Sequence, residues 1–389
     1  MKRTMEKASI LSLSLMLVSS YSVSTALPDM MNFYKGFSRS RVEQLISISS
    51  LAIMCVILLN GWISRYLSER KSIIAGLFLI AAGGCVPVLW QSYPVVFAGR
   101  VVLGVGIGLI NVHAVNMINE RYEGEERASL LGYRAAAEVL GNAVLTLIVG
   151  QLLGFGWTKA FLIYFAGLPI LFLYLAFVPG KKTIPEEAED QIKEGGAGTR
   201  RLAIYIMSAC MGGLFICINS SSTMRIPSLI LERGMGTEVE SSIVLSAMMI
   251  MGIVSGVFFG KLVHLLGGYL RPVMLLTLTV GLALVAFAPG IWLLGIGAMA
   301  AGMALNVLVT TVFHRLSGRL SPKEIKTATT MTLVGCNLGA SSSSLVMGAI
   351  GHISDNIGAP FVVFAAVTAL LGLGTIVKAG QRAAAGKIS

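Results

Sequence analysis

The chain has 389 residues, of which 55% are hydrophobic and only 13% charged, with a mean hydropathy of +0.80 and a formal charge of +11. Soluble globular domains carry roughly a quarter charged residues, so this composition cannot furnish a water-facing surface, and a soluble fold is excluded. The basic residues are scattered over many short loops and build no dense stripe, which excludes a nucleic-acid partner.

Charged clusters divide the chain into apolar runs of roughly 18 to 25 residues, the length that crosses a hydrocarbon core about 30 Å thick. The first run spans 8–33. Met1 to Lys7 in front of it resembles the basic start of a signal peptide, but no small-residue cleavage site follows and the run continues to Leu27, so it is read as a retained helix. Runs at 42–64, 73–90, 94–118, 127–154 and 158–178 complete a first group of six. A polar stretch follows, with Lys181, Lys182, Glu186, Glu187, Glu189, Asp190, Lys193, Glu194, Arg200 and Arg201. Six more runs then cover 202–231, 241–263, 272–289, 291–314, 325–351 and 357–378. The pattern predicts an all-α polytopic membrane protein of 12 transmembrane helices: an N-terminal six-helix bundle over 1–180, a cytoplasmic linker at 181–201 and a C-terminal six-helix bundle over 202–389.

Cytoplasmic loops are enriched in Lys and Arg. With both termini inside, the inner segments hold 22 basic residues and the outer ones six (Lys35, Arg39, Arg41, Lys159, Arg225, Arg233), while Arg100 and Arg134 lie within spans. Short loops and compactness point to a bacterial inner membrane. An offset of 198 or 199 residues relates the halves: Pro28 maps to Pro227, Gly61 to Gly260, Leu140-Gly141 to Leu338-Gly339 and Gly150 to Gly348. A nearly constant offset through five helices predicts two parallel six-helix repeats. Cys55, Cys85, Cys210, Cys217 and Cys336 all fall in apolar segments without paired spacing and read as small packing residues.

An ionisable group inside a span costs at least about 2.5 to 3.5 kcal/mol at the bilayer centre and is a functional candidate by default. Arg134 and Glu138 stand four apart on the fifth span, hence on one helix face. Glu138 falls near mid-membrane, Arg134 about one turn nearer the cytoplasm, and His113 of the fourth span at similar depth to Arg134. One reading makes Glu138 the proton carrier, its proton affinity set between desolvation and Arg134; the other makes the two a fixed ion pair. Asn111, Asn306, and Asn219 with Ser220, Ser221 and Ser222 can bond a substrate or equally bond between helices. His264, His314 and His352 are too dispersed for a metal site, no Walker loop occurs, and the spans hold no catalytic cluster, so neither metal, cofactor nor enzymatic activity is expected.

Arg100-Val101-Val102-Leu103-Gly104-Val105-Gly106-Ile107-Gly108 on the fourth span resembles the Arg-x-x-x-Gly-x-Gly motif of helix four in the major facilitator superfamily. Two six-helix halves, inner termini and a central linker also fit that family over essentially the whole chain. Its loop between helices two and three is occupied by Gly61-Trp62-Ile63-Ser64-Arg65-Tyr66-Leu67-Ser68-Glu69-Arg70-Lys71, where Arg65 replaces the acidic residue that forms a charge-pair latch. The equivalent segment from Gly260 to Gly267 has His264 at that place, and Gly141, Gly150 and Gly154 stand in for the helix-five signature of drug antiporters.

The resemblance implies a monomeric secondary transporter working by alternating access, closest in style to drug and small-molecule:proton antiporters. It implies proton-coupled efflux of amphipathic or drug-like compounds, with proton symport or facilitated uptake of a polar metabolite, an organic anion or a sugar, as the alternative. In that family helices one and four line the cavity. Arg100 would then face Asp29, which follows a break at Pro28, as an outer gate; the other reading of Asp29 is a solvated helix-end carboxylate. Arg225, at the outer end of the seventh span, is a further cavity candidate.

Overall fold

The computed structural model describes residues 2–178, 199–317, 322–354 and 356–385. The expected linker lies outside them as far as residue 198. Ten helices among the described residues are long and apolar enough to cross a bilayer, by length and composition. A pair bent by 51°, Thr4–Ser14 with Ser19–Phe33, supplies an eleventh, and the apolar helix Ala359–Thr375 stands at the place of the twelfth expected span. The chain divides into two compact units, Met1–Leu202 and Ala203–Ser389.

The first unit opens with α1 (Lys2–Ser14), a 3-10 helix (Ser19–Ala26) and α2 (Leu27–Phe33). The bend has a cause in the sequence. Ser19 Oγ donates to Met16 O at 2.7 Å and Ser24 Oγ to Tyr21 O at 2.6 Å, and hydroxyls that bond back onto the preceding turn loosen and bend a helix. A 3-10 run of eight residues is long for that geometry. The break expected at Pro28 therefore lies upstream of it. Pro28 instead occupies the first turn of α2, where its missing N–H forfeits no helical bond.

There follow α3 (Arg39–Tyr66), α4 (Glu69–Gly84), the short α5 (Val86–Leu89), α6 (Tyr93–Arg121) and α7 (Gly124–Leu152). The sixth expected span starts as a 3-10 helix, Trp157–Ala166, and continues as α8 (Gly167–Phe177). Helices α3 and α4 both pack on α6, and the glycines of the fourth span explain how. A Cβ on Gly106 would lie 2.6 Å from Gly76 O of α4, and one on Gly108 would lie 2.7 Å from Val56 Cβ of α3. Gly104 meets Ser49 and Ala52 of α3 in the same way. In lipid, helices associate by close backbone approach rather than by a hydrophobic force, and Gly104, Gly106 and Gly108 supply that approach on two sides of α6.

The second unit holds α9 (Thr199–Glu232), α10 (Glu238–Val257), α11 (Phe259–Leu266), α12 (Leu270–Phe287), α13 (Ile291–Ser317), α14 (Pro322–Gly351) and α15 (Ala359–Ala385). Helix α10 starts on a complete capping box between Thr237 and Glu240. Helices α10 and α12 pack on α13 as α3 and α4 pack on α6. Gly83 of α4 faces Gly99 of α6, and Gly281 of α12 faces Gly297 of α13, each residue 198 positions after its counterpart. Gly302, 198 after Gly104, meets the Met248 backbone of α10; Gly339, 198 after Gly141, meets the Gly213 backbone of α9, as Gly141 meets Leu15. The sequence repeat is thus a repeat of backbone crossings.

At Gly297 an added Cβ would lie 2.7 Å from Gly281 O, whereas around Gly290 it would meet nothing within 4 Å. Gly297→Val is expected to destabilise the protein by about 1–3 kcal/mol and Gly290→Val to leave it near the parent, read as thermal unfolding in detergent. Equal melting of the two variants would show that the crossing does not hold α12 to α13.

Candidate functional site

On α7, Arg134 Nη2 lies 3.3 Å from a Glu138 carboxylate oxygen, with side-chain exposures of 16% and 25%. Spacing of four places both groups on one helix face. The pair is not saturated: Arg134 Nε is buried without a hydrogen-bond partner. On α6, His113 is buried, and its Nε2 likewise has no partner. No hydrogen bond or ion pair joins His113 to Arg134 or Glu138. Asn111, two residues before His113, is half-buried.

Arg100 is arranged differently. It is 1% exposed, and its guanidinium donates from Nε to Leu45 O at 2.7 Å, from Nη1 to Tyr164 Oη at 2.7 Å, and from Nη2 to Ser20 O and to Ile46 O. Tyr164 passes the bond on to Ser19 O at 3.0 Å, and Ser49 Oγ donates to the Arg100 carbonyl at 2.9 Å. The expected pairing of Arg100 with Asp29 does not appear among its bonds in the described residues: the arginine is bonded to carbonyls of α3 and of the 3-10 segment and to the Tyr164 hydroxyl. A buried charge costs least where hydrogen bonds surround it, and here the loosened first span supplies Ser20 O to Arg100 and Ser19 O to its partner Tyr164. The same segment is tied to α7 by Ser22 Oγ, which donates to Asn142 Oδ1 at 2.6 Å.

In the second unit, Asn306 of α13 faces the glycine steps of α10: a Cβ on Gly252 would lie 3.4 Å from its Nδ2. Thr310 Oγ1 is 3.4 Å from its Oδ1. Asn306 is thus engaged in helix packing. Asn219 is half-buried on α9. Arg225, assigned by sequence to an outer helix end, is only 5% exposed, with Ser220, Ser221, Ser222, Thr223 and Ser228 buried around it along the same helix.

Glu43 is the residue that sequence reasoning missed. It lies on α3 with 0% exposure, and the available signal was an acidic side chain one residue inside an apolar run. In the segment expected as the loop between the second and third spans, Gly61 at the end of α3 has open space around it, Arg65 of α3 and Lys71 of α4 are exposed, and Arg70 of α4 is half-buried. Arg121 of α6 meets Glu6 of α1 at 2.8 Å, and Lys7 of α1 meets Glu126 of α7 at 2.6 Å, so the start of the first span is clamped to the α6–α7 turn.

The family description that matches residues 9–284 is the Major Facilitator Superfamily. The cyanate transport protein CynX of Escherichia coli (strain K12) is 26% identical over 110 residues, which are 28% of this chain and 28% of that protein; the chain thus aligns with little more than a quarter of that relative. Three solved structures share the fold over 96% of this chain. They are the nucleoside transporter NupG (TM-score 0.73, 15% identity, 99% of its chain), a D-xylose-proton symporter (0.72, 16%, 97%) and the peptide transporter POT in complex with alafosfalin (0.73, 14%, 94%).

Tyr164→Phe removes both an acceptor for Arg100 and a donor to Ser19, and is expected to cost about 1–3 kcal/mol of stability. Arg100→Lys is expected to cost more, because a lysine cannot present a planar fork of donors to several carbonyls. Thermal unfolding of the purified proteins measures both, and an unchanged Arg100→Lys transition would remove the brace from the account.

Proposed function

The chain belongs to the Major Facilitator Superfamily, a secondary transporter and not an enzyme, and from that premise we propose that it carries a small organic or similarly small polar anion together with protons. The observation that carries this reading is the Arg134–Glu138 pair: two ionisable groups on one face of an otherwise apolar span, with an arginine donor left over. While Glu138 is ionised it neutralises Arg134. When Glu138 takes a proton, Arg134 loses its counter-ion in a low-dielectric setting, where an uncompensated charge is costly, and an anion that arrives there restores neutrality. Proton and anion therefore favour each other's binding, and the coupling is reciprocal. An anion and a proton that cross together carry no net charge, and alternating access then moves them down their combined gradient.

The partial similarity to a cyanate transport protein supports a small anion. Efflux of amphipathic or drug-like compounds, which the helix-four resemblance implies, draws less support, because Arg100, Gly104, Gly106 and Gly108 are engaged in bonding and packing within the first unit. His113, with its unpartnered Nε2, is the second proton-binding group in this scheme, and Asn111 is a hydrogen-bond donor to the solute. The protein acts as a monomer in a bacterial inner membrane with both termini in the cytoplasm, the orientation that the distribution of Lys and Arg supports.

In proteoliposomes acidified on the outside, addition of cyanate or a small carboxylate is expected to acidify the lumen, while lipophilic cations and sugars do not. Glu138→Gln, folded and reconstituted at equal density, is expected to transport at least about tenfold more slowly, with only the weaker pH dependence that His113 supplies, since the carboxylate proton switch is fixed. Full proton-driven flux in Glu138→Gln would end the proposal. Lumen alkalinisation by lipophilic cations would replace it with antiport.

A further inference from the structure

The start of α3 carries a run of charge that the transport scheme leaves unused. Basic residues are depleted from outer segments, yet Lys35, Arg39 and Arg41, three of the six expected outside, fall within one short stretch. Arg41 is exposed, and no ion pair among the described residues occupies its guanidinium. It stands on the wall of a groove of about 420 Å³ between α3 and α6, which Gln44, Tyr93, Pro94 and Phe97 complete. Tyr93 Oη donates to Arg41 O at 2.9 Å, and its ring stacks on Phe37 with 4.4 Å between centroids. Main chain and packed rings thus shape the groove, and Arg41 is the one cation in its wall.

The depth of the groove follows from the limits of the spans around it. Arg41 is the third residue of the span Arg39–Tyr66, Tyr93 opens the span Tyr93–Asn111, and Trp157 opens the span Trp157–Phe177. Tyr34 joins these ends, its ring 5.9 Å from those of Tyr93 and of Trp157, and such aromatic rings gather at headgroup level. Below Gln44, Ile48, Leu51, Cys55 and Leu58 follow one face of α3 at helical spacing, exposed or half-buried and without a charged group. Trp62 and Tyr66 stand exposed at the far end of that helix. A face that is apolar through the core and aromatic at both ends matches a hydrocarbon slab, whereas a water-filled cavity is lined by polar groups. We propose that the groove binds an anionic phospholipid, with its phosphate on the Arg41 guanidinium, its headgroup hydroxyls against the Gln44 amide and its acyl chains along Ile48 and Leu51. Basic pockets between transmembrane helices recognise anionic headgroups. A choline headgroup would bring its ammonium toward a segment that already carries three cations, where like charges repel.

The test is thermal unfolding of the full chain in detergent with added dioleoylphosphatidylglycerol, dioleoylphosphatidylcholine or inorganic phosphate, alongside native mass spectrometry of bound lipid. Phosphatidylglycerol is expected to raise the melting temperature and to persist as a bound adduct, with neither effect from phosphatidylcholine or phosphate. Arg41→Gln is expected to weaken the response about fivefold, the worth of one basic residue near a membrane surface, while Arg65→Gln at the other end of α3 leaves it unchanged. Gln44→Glu, which sets a carboxylate beside the phosphate, is expected to weaken it at least as much and carries the test if Arg41→Gln does not fold. An undiminished response in Arg41→Gln, or an equal one from phosphatidylcholine, would overturn the site. An equal loss in Arg65→Gln would reduce it to general attraction between cations and anionic lipid, and a full response to phosphate alone would replace the lipid with a soluble anion; either result overturns it.

Discussion

Hydrocarbon offers no hydrogen bonds, so every backbone group that leaves the helical ladder must find a partner inside the protein. In the first unit that constraint and the serine run of the first span meet at one residue. The hydroxyls of Ser19 and Ser24 bond back to Met16 and Tyr21, the span tightens into a 3-10 helix, and the carbonyls of Ser19 and Ser20 turn outward. Arg100 and Tyr164 occupy those carbonyls. Neither partner is tolerable alone: the loosened segment would expose unsatisfied carbonyls, and the arginine would be an unsolvated charge. Together they hold the first span, α3, α6 and the 157–166 segment at one point.

Around that point the packing is repetitive because the same close approaches occur twice. Without a hydrophobic force between helices in lipid, contact distance becomes the main source of dispersion energy. Glycine at a crossing lets the backbones themselves touch. The pairs Gly83 with Gly99 and Gly281 with Gly297 make one crossing in both units, and Gly141 with Leu15 and Gly213 with Gly339 make another. Side chains elsewhere have diverged freely, which is why the offset of 198 survives mainly in glycines. Pro28 and Pro227 show the limit of the relation: the first starts a short helix, the second sits inside the continuous α9.

The spans were legible because their length and apolarity are imposed by the bilayer, and each of the twelve expected runs has a helical counterpart. The interruptions were not, since they arise from local bonding that hydropathy does not register. The sixth span begins as a 3-10 helix, and the first bends at serines rather than at its proline. The Arg134–Glu138 contact was legible because spacing along one helix is enough to place it. Most partners of Arg100 were illegible because three of the four are main-chain carbonyls 54 to 80 residues away in sequence, and any residue type offers a carbonyl. Glu43 escaped notice because a carboxylate near a span end looks solvated until the fold around it is known.

Arginine stands in three settings in this chain, and the contrast separates structure from function more sharply than burial does. Arg100 is the most buried and the least available, because oxygen acceptors surround it. Arg134 is less buried, but it shares one carboxylate and retains a buried donor. Among the described residues, Arg271 donates to a methionine sulfur. A charge surrounded by fixed oxygen acceptors changes little when a proton or a solute arrives. A charge whose partner can be protonated away gains from an incoming anion, and the proposed transport role follows from what the Arg134 guanidinium still lacks.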